Sequence, residues 1–378
     1  MTGRERLLKV IRKELPDCVP VAPDFSNMIP AKLTGLPFWD LYLYQKKPIW
    51  EAYIECAKLF DIDSVMDGYF PLQFEGENAD PRPWKRYIVF KNEERIVVQR
   101  AYKENGKLIW EGFVDVFYID NPPSHGVDPK KIGMPEVPLK FEPLEGVKEV
   151  DRSPGGFKKI KEKMGEQGLV GVWAGVTTNV LGTEEGIYYY YDHPEEHEAL
   201  RDSYIRKGEE RMKKILTMEV KPDFICVGGS GTLIHQTLDI FRELAFPAVK
   251  RVIEIAAANG LPTHVHSCGP EKELVKLMSE ETGLTIIDPL EIPPMGNCDL
   301  KELKKLYGKK IILKGNIHTT NVMLKGSTDD VRIACEKAID DAKEGGMFIL
   351  STGDQCGRDT PFENLRTMVE TARTYGKY

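Results

Sequence analysis

The stretch "LPTHVHSCGP", Leu261 to Pro270, places His264, His266 and Cys268 at alternate positions of a short apolar run. Side chains two apart on a β-strand point the same way, so this spacing gathers two imidazoles and a thiol on one face. Three arrangements fit such a set: a hydrogen-bonded core, a metal site, or a cysteine nucleophile with a histidine base. The nucleophile reading is the weakest, because residues two apart on a strand lie side by side rather than in a preset hydrogen-bonded pair. His264, earliest in the strand and so deepest, reads as a core histidine. His266 and Cys268 offer one nitrogen and one thiolate, two ligands that zinc prefers. Glu291 ends the next apolar run and Cys356 follows the last one. Together His266, Cys268, Glu291 and Cys356 supply one nitrogen, two sulfurs and one oxygen for a tetrahedral ion. Of these the carboxylate is the ligand most readily exchanged for substrate.

These groups must be held by the elements before them. The second half of the chain repeats a short apolar run followed by a helical pattern, with strands expected over 169–175, 223–229, 262–268, 285–291, 311–317 and 347–353. Upstream, "VPVAP" (19–23) and "SVMDG" (64–68) complete eight strand–helix units. Alternation of this kind forces a parallel sheet, and eight units predict an α/β fold of the (β/α)8 TIM-barrel type. An open doubly wound sheet is the alternative, but its Gly-rich dinucleotide fingerprint is absent. Asp299 is the expected N-cap of the helix after the fourth of these runs, and Pro247 should break the helical stretch from 241 to 260. Between about 84 and 120 the pattern changes to alternating polar and β-branched or aromatic residues, with an Asn105-Gly106 hairpin turn. This predicts an antiparallel β insertion after strand 2, either a lid or a peripheral brace. A Pro-rich connector over about 121–147 then returns the chain to one barrel domain spanning 1–378.

A barrel carries its chemistry at the C-terminal ends of its strands. The expected ends hold Asp24, Asp67, Gly228-Gly229, His266 with Cys268, Glu291, Asn316 and His318, and Asp354 with Cys356. Trp173, Tyr69 and Phe70 could form an apolar pocket there or belong to the core. The run "IYYYYDHPEEHEAL" predicts a helix with one exposed and one buried tyrosine face. Net charge of −7 argues against a large basic face for nucleic acid or anionic lipid. The charged first helix is no signal peptide, and no apolar run approaches a membrane span. Seven scattered cysteines do not form a disulfide framework, which implies a reduced, cytoplasmic protein with Cys226, Cys298 and Cys335 as plain core residues.

The motifs "PDFICVGGSGTL", "THVHSCGP", "DPLEIPPMGNCDLKELKKLYGKKIILKGNIHTT" and "ILSTGDQCGRDTPFENLRTMVETARTYG" resemble the uroporphyrinogen decarboxylase superfamily. The resemblance implies a (β/α)8 barrel, commonly a homodimer. True decarboxylases of this kind use no metal and hold their substrate through an N-terminal arginine motif. The matching segment here, "VPVAPDFSNMIPAKLTG", contains no arginine. The other branch, the cobalamin-dependent methyltransferases, binds zinc through His-x-Cys and a distant Cys. Those positions correspond to His266, Cys268 and, with an offset, Cys356. A related zinc methyltransferase adds a glutamate at about the spacing of Glu291. Without gaps the distal cysteine falls on Asp354, so either Cys356 or Asp354 completes the set.

What the resemblance implies is a zinc-dependent transfer of a methyl group between a small methylated substrate and a corrinoid protein. The substrate would be a methoxylated aromatic, methanol or a thiol. Asp67 and Asn316 would orient it, and the small Gly228-Gly229 loop would admit the corrinoid. A metal-free decarboxylase-like lyase and a non-catalytic corrinoid or methyl-donor sensor are the alternatives.

Overall fold

A computed structural model describes residues 1–67, 70–77 and 80–378. Its main sheet is six-stranded and wholly parallel. Its strands are β6 (Gly171–Trp173), β7 (Phe224–Gly228), β8 (Thr263–His266), β9 (Ile286–Asp288), β10 (Ile312–Ile317) and β11 (Phe348–Thr352), paired in sequence order. Every residue of β7, β9, β10 and β11 is buried, as expected of parallel strands covered on both faces. The helices between them supply the cover. Asp299 caps the helix Leu300–Tyr307 by accepting from the Glu302 N–H. The stretch around Pro247 is broken at Ala245 into helices Leu238–Leu244 and Phe246–Ala258, with Pro247 in the first turn of the second, where its missing N–H costs no hydrogen bond.

Among the described residues, the two upstream runs do not become regular strands. Val21 makes a single parallel bridge to Leu350, Leu350 N–H donates to Pro20 O, and Asp63 N–H donates to Val21 O at 2.9 Å. Pro20 and Pro23 have no N–H to give, which interrupts a ladder. Farther along, Ser64 Oγ spans to Leu169, donating to its carbonyl at 2.7 Å and accepting from its N–H. A small apolar cluster joins Leu7 and Val10 of the helix Gly3–Ile11 to Ala22, Met66, Leu169, Phe224, Cys226, Ile286, Ile312 and Ile349. The larger core lies on the other side of the sheet, beneath the outer helices.

The inserted region is an antiparallel sheet of β1 (Lys85–Lys91), β2 (Arg95–Glu104), β3 (Lys107–Tyr118), β4 (Ser124–Val127) and β5 (Glu142–Pro143), ordered β4-β3-β2-β1-β5. Asn105 and Gly106 both have positive φ, 49° and 82°, as a two-residue hairpin requires. The connector is more than a return path, since β4 and β5 form the two edges of this sheet. Among the described residues no helix is long and apolar enough to cross a membrane. All seven cysteines are free thiols, six of them buried.

Candidate functional site

Parallel pairing brings the ends of neighbouring strands to one level. Gly228 of β7 is in register with His266 of β8, and His266 with Asp288 of β9. Three basic groups converge on the Asp288 carboxylate. His266 Nδ1 lies 3.1 Å from Oδ1, His264 Nε2 lies 2.9 Å from the same oxygen, and the Lys314 ammonium, from β10, donates to Oδ2. Lys314 Nζ also donates to Asp67 Oδ1 at 2.8 Å. His264 is the core residue expected, buried with Nδ1 donating to Met66 O at 3.0 Å.

Burial alone would protonate Asp288, but Lys314, His264 and His266 overcome it and hold its carboxyl well below the usual range. An ionised carboxylate only accepts, so His266 keeps a proton on Nδ1, and Nε2 is the nitrogen whose proton a metal ion would displace. Burial opposes a second proton on His266, yet the charge and hydrogen bond of Asp288, with Cys268 and Asp67, raise its pKa well above the ordinary value.

Around that Nε2 stand side chains of the kinds that could hold a metal ion. Donor atoms of His266, Cys268 and Asp354 all lie within 4.8 Å of one another, and His266 Nε2 is 3.8 Å from Asp354 Oδ1. Asp354 sits at φ 96°, a region few non-glycine residues adopt, in the loop after β11. Glu291 is close by but turned elsewhere. Its Oε2 accepts from Gly269 N–H, and it is absent from the three-residue group. Burial raises the Glu291 pKa against the pull of that N–H, and Asp354 adds to the rise.

Cys356 is outside the set. Its backbone N–H donates to Asp24 O at 2.8 Å, its carbonyl accepts from Ser26 Oγ, and its thiol meets Thr352 and Thr360. Burial, then Asp24, pushes that thiol up. The loop is thus fixed with Asp354 toward His266 and Cys356 in the wall behind. Of the two distal residues considered from sequence, the geometry gathers Asp354.

Asp24, Asp67 and His266 form a second group of donors within the same 4.8 Å limit. Burial, followed by the neighbouring Asp67, pushes Asp24 up to about 8. Asp67 is raised too, by burial against the attraction of Lys314, and its Oδ2 is buried with no hydrogen-bond partner among the described residues. Asn316 stands one strand period beyond Lys314, its Nδ2 donating to Leu290 O at 3.1 Å, in a recess shared with Glu291, His318 and Gly353. His318 accepts from the N–H groups of Thr320 and Asn321 and so starts the turn Thr319–Leu324. Gly228 has φ +133°, and a Cβ there would fall 2.2 Å from His266 O, so close approach of β7 and β8 requires this glycine. A Cβ on Gly229 would meet Thr177 Oγ1 at 2.6 Å.

Phe70 and Trp173 line one cavity of about 710 Å³, with Arg152, Lys207, Arg211 and Lys214 among its other walls. Tyr69 lies outside the described residues. The tyrosine helix, Glu184–Asp192, has no buried residue, so the expected buried face does not exist. Its hydroxyls reach carboxylates instead: Tyr188 to Glu184, Tyr189 to Glu196 and Tyr190 to Glu243. Sequence reasoning missed Asp288 and Lys314. The available signal was a lysine inside the apolar run "IILKGNI", where an unpaired charge would not be buried.

Residues 217–375, which include His266, Cys268, Asp288, Lys314 and Asp354, match the family described as uroporphyrinogen decarboxylase (URO-D). That stretch is a URO-D family domain. Among curated proteins, the chain is similar to methylcobamide:CoM methyltransferase MtbA of Methanosarcina mazei, 26% identical over 139 residues, covering 36% of this chain and 37% of the relative. Methylcobamide:CoM methyltransferase MtaA of Methanosarcina barkeri matches at the same identity and coverage. The chain thus spans little more than a third of the length of these curated relatives. A solved methyltransferase from Methanosarcina mazei superposes with a TM-score of 0.58 and 16% identity, covering 99% of both chains, which establishes a shared fold for the URO-D domain and the residues before it.

Proposed function

We propose that this protein is a methyltransferase that moves a methyl group between a small methylated compound and the cobalt of a corrinoid carried by a separate protein, with zinc held by His266, Cys268 and Asp354. One observation carries the reading. An imidazole nitrogen, a thiol sulfur and a carboxylate oxygen lie within 4.8 Å of one another at the ends of parallel strands, with the imidazole proton held on the far nitrogen by Asp288. Zinc bonds of about 2.0–2.3 Å put ligand atoms on the order of 3.5 Å apart, so small side-chain rotations bring these three onto one ion. A carboxylate hydrogen-bonded to a ligating histidine is the usual support of such a site. When bound, the ion supplies Lewis acidity toward a departing oxygen or sulfur, and the partner's corrinoid supplies the methyl-exchanging cobalt.

The chain's own residues do the positioning. Asp67 offers its unmatched Oδ2 to a substrate donor, and Asn316 flanks the same end of the sheet. Gly228 and Gly229 are required by packing against His266 O and Thr177 Oγ1, and the loop they begin is the side on which we place the approach of the corrinoid. Glu291 stands beside Cys268 as a reserve oxygen. Phe70 and Trp173 offer ring faces to a methoxylated aromatic, in a cavity that also has six charged residues in its walls and none of the proposed zinc donors. A set with one thiolate and one carboxylate favours oxygen leaving groups, so methoxylated aromatics and methanol rank ahead of thiols. We further read residues 1–378 as one (β/α)8 domain, closed through segments 19–23 and 62–67. The bridge at Val21, the Ser64 link to Leu169 and the apolar cluster that both segments share with four strands support closure.

Metal analysis and corrinoid spectroscopy test this. Near-stoichiometric zinc is expected in the wild type and in Cys356→Ser, and its loss in Cys268→Ser and Asp354→Ala. Mixing with a reduced corrinoid protein and methyl ethers should convert its absorption to the methylated form. Zinc retained without Cys268, or no conversion with any methyl ether, methanol or methylated thiol, would end the reading.

A further inference from the structure

His266 belongs to two donor groups, one with Cys268 and Asp354 and the other with Asp24 and Asp67. Since Nδ1 is bonded to Asp288, only Nε2 is available, and one lone pair serves one ion. The two groups are therefore alternatives. They differ in chemistry: the first contains a soft thiolate, the second only oxygen beside the imidazole, the kind of set that manganese or magnesium prefers. The oxygen set also holds the buried, unmatched Asp67 Oδ2, and it offers a cation as many donor atoms as the first set.

Lys314 supplies the difference. Its side chain is fully buried, and its ammonium donates to Asp67 Oδ1 at 2.8 Å and to Asp288 Oδ2. A divalent ion between Asp24 and Asp67 would share a carboxylate with this fixed positive charge, in surroundings that screen repulsion poorly. We infer that Lys314 is a specificity-determining residue, excluding divalent cations from the Asp24–Asp67 side and so committing His266 to Cys268 and Asp354. The inference rests on the proposed metal reading and adds to it a residue that touches neither ion nor substrate.

The test uses the full-length protein stripped of metal and reloaded with Co²⁺, whose thiolate-to-cobalt absorption reports a bound cysteine. The variants are Lys314→Met, of similar length without charge, and Lys314→Met combined with Asp67→Asn. Wild type should show the thiolate band. Lys314→Met should lose at least about half of it, and its preference for Zn²⁺ over Mn²⁺ should fall by about 10- to 100-fold, the size of other outer-shell effects. The double variant, with its oxygen set dismantled, should regain the band. Lys314→Gln gives the same comparison if Lys314→Met does not fold. An unchanged band and preference in the lysine variants overturns the role of Lys314 alone. A band still missing in the double variant also overturns it, since the lysine would then be acting through packing. No thiolate band in the wild type sinks the zinc set and this inference together.

Discussion

Asp63 and Asp67 stand four residues apart on one segment and are about equally buried, with 1% and 3% of their side chains exposed. Their surroundings differ completely. Asp63 faces the end of the sheet covered by the helix Gly3–Ile11, where both its oxygens are saturated. Oδ1 accepts from Arg6 and Arg373 at 2.9 Å each, and Oδ2 accepts from Val21 N–H at 2.7 Å and Arg373 at 3.0 Å. Asp223 is likewise filled by Arg4, Lys161 and the Val170 N–H. Asp67 faces the other end with one oxygen on Lys314 and the other unmatched among the described residues. A buried charge with every lone pair matched ties elements together. One left half matched costs stability and is kept where a ligand can complete it.

The largest effect is expected from removing the saturated carboxylate. Asp63→Ala cuts the carboxylate link from the first helix to the C-terminal helix through Arg6 and Arg373, leaves Arg6 only Asp17 and Arg373 only Asp61 as carboxylate partners, and strips the buried Val21 N–H of its acceptor. Unfolding in urea should show a loss of about 2–4 kcal/mol. Zinc content per folded molecule should not change. A loss below about 1 kcal/mol would mean that the saturated end is not what holds the fold.

At the opposite end the expected loss is in ligand binding rather than in folding. Asp288→Asn removes the charge that holds the His266 proton on Nδ1 and leaves one acceptor oxygen where Lys314 and two imidazoles now share two. Zinc affinity, measured by competition with a chromophoric chelator, should fall about 10- to 100-fold. The same measurement on Asp63→Ala should give the wild-type value. Equal affinities for both variants would erase the distinction between the two ends.

At that second end the donors themselves were more legible in the sequence than the residues that support them. Strand parity alone put His264 and His266 on one face, and the family motif pointed to Asp354 without gaps and to Cys356 with an offset. Both are local patterns, fixed by period two or by adjacency in the chain. Asp288 and Lys314 were missed because their meaning depends on the register of β8, β9 and β10 against one another, which no single stretch encodes. Segments 19–23 and 64–68 were read as strands from their apolar content, while prolines at 20 and 23 had already removed the donors of a ladder. The tyrosine helix failed differently: periodicity counted its rings as apolar, but each of three hydroxyls had a glutamate within reach.

Acid should act on the two ends with opposite sign. Asp223 is held below the ordinary carboxyl range by Arg4 and Lys161, against burial. Its contribution to stability is therefore full above an unfolded pKa of about 4 and is lost as the pH falls through the folded value. Asp24 is pushed up to about 8 by burial and Asp67. In chelator-stripped protein it favours folding fully below about pH 4, and that advantage declines as the pH rises toward 8. Each such group sets a slope of at most about 1.4 kcal/mol per pH unit. Urea midpoints between pH 4 and 8 should accordingly fall less with pH for Asp24→Asn than for wild type, whereas Asp223→Asn should lose its stability deficit below pH 4. Parallel curves for all three proteins would show that neither carboxyl differs between folded and unfolded chains.

The smallest effect is expected at the distal ligand that the sequence offered only with an offset. Cys356 is fully buried, and its thiol lies among the Thr352 and Thr360 hydroxyls, behind the loop that turns Asp354 toward His266. Serine keeps the size and gains a hydroxyl that those neighbours can bond, so the usual penalty for a buried polar group is largely met. Stability should change by less than about 1 kcal/mol, and zinc content and methyl transfer should stay within about twofold of wild type. Cys268→Ser makes the same atomic exchange at a thiol inside the donor set, and there the ion should go. If the two serine variants lose zinc equally, the loop after β11 must move Cys356 forward when metal binds, and the wall it now forms belongs to the metal-free protein only.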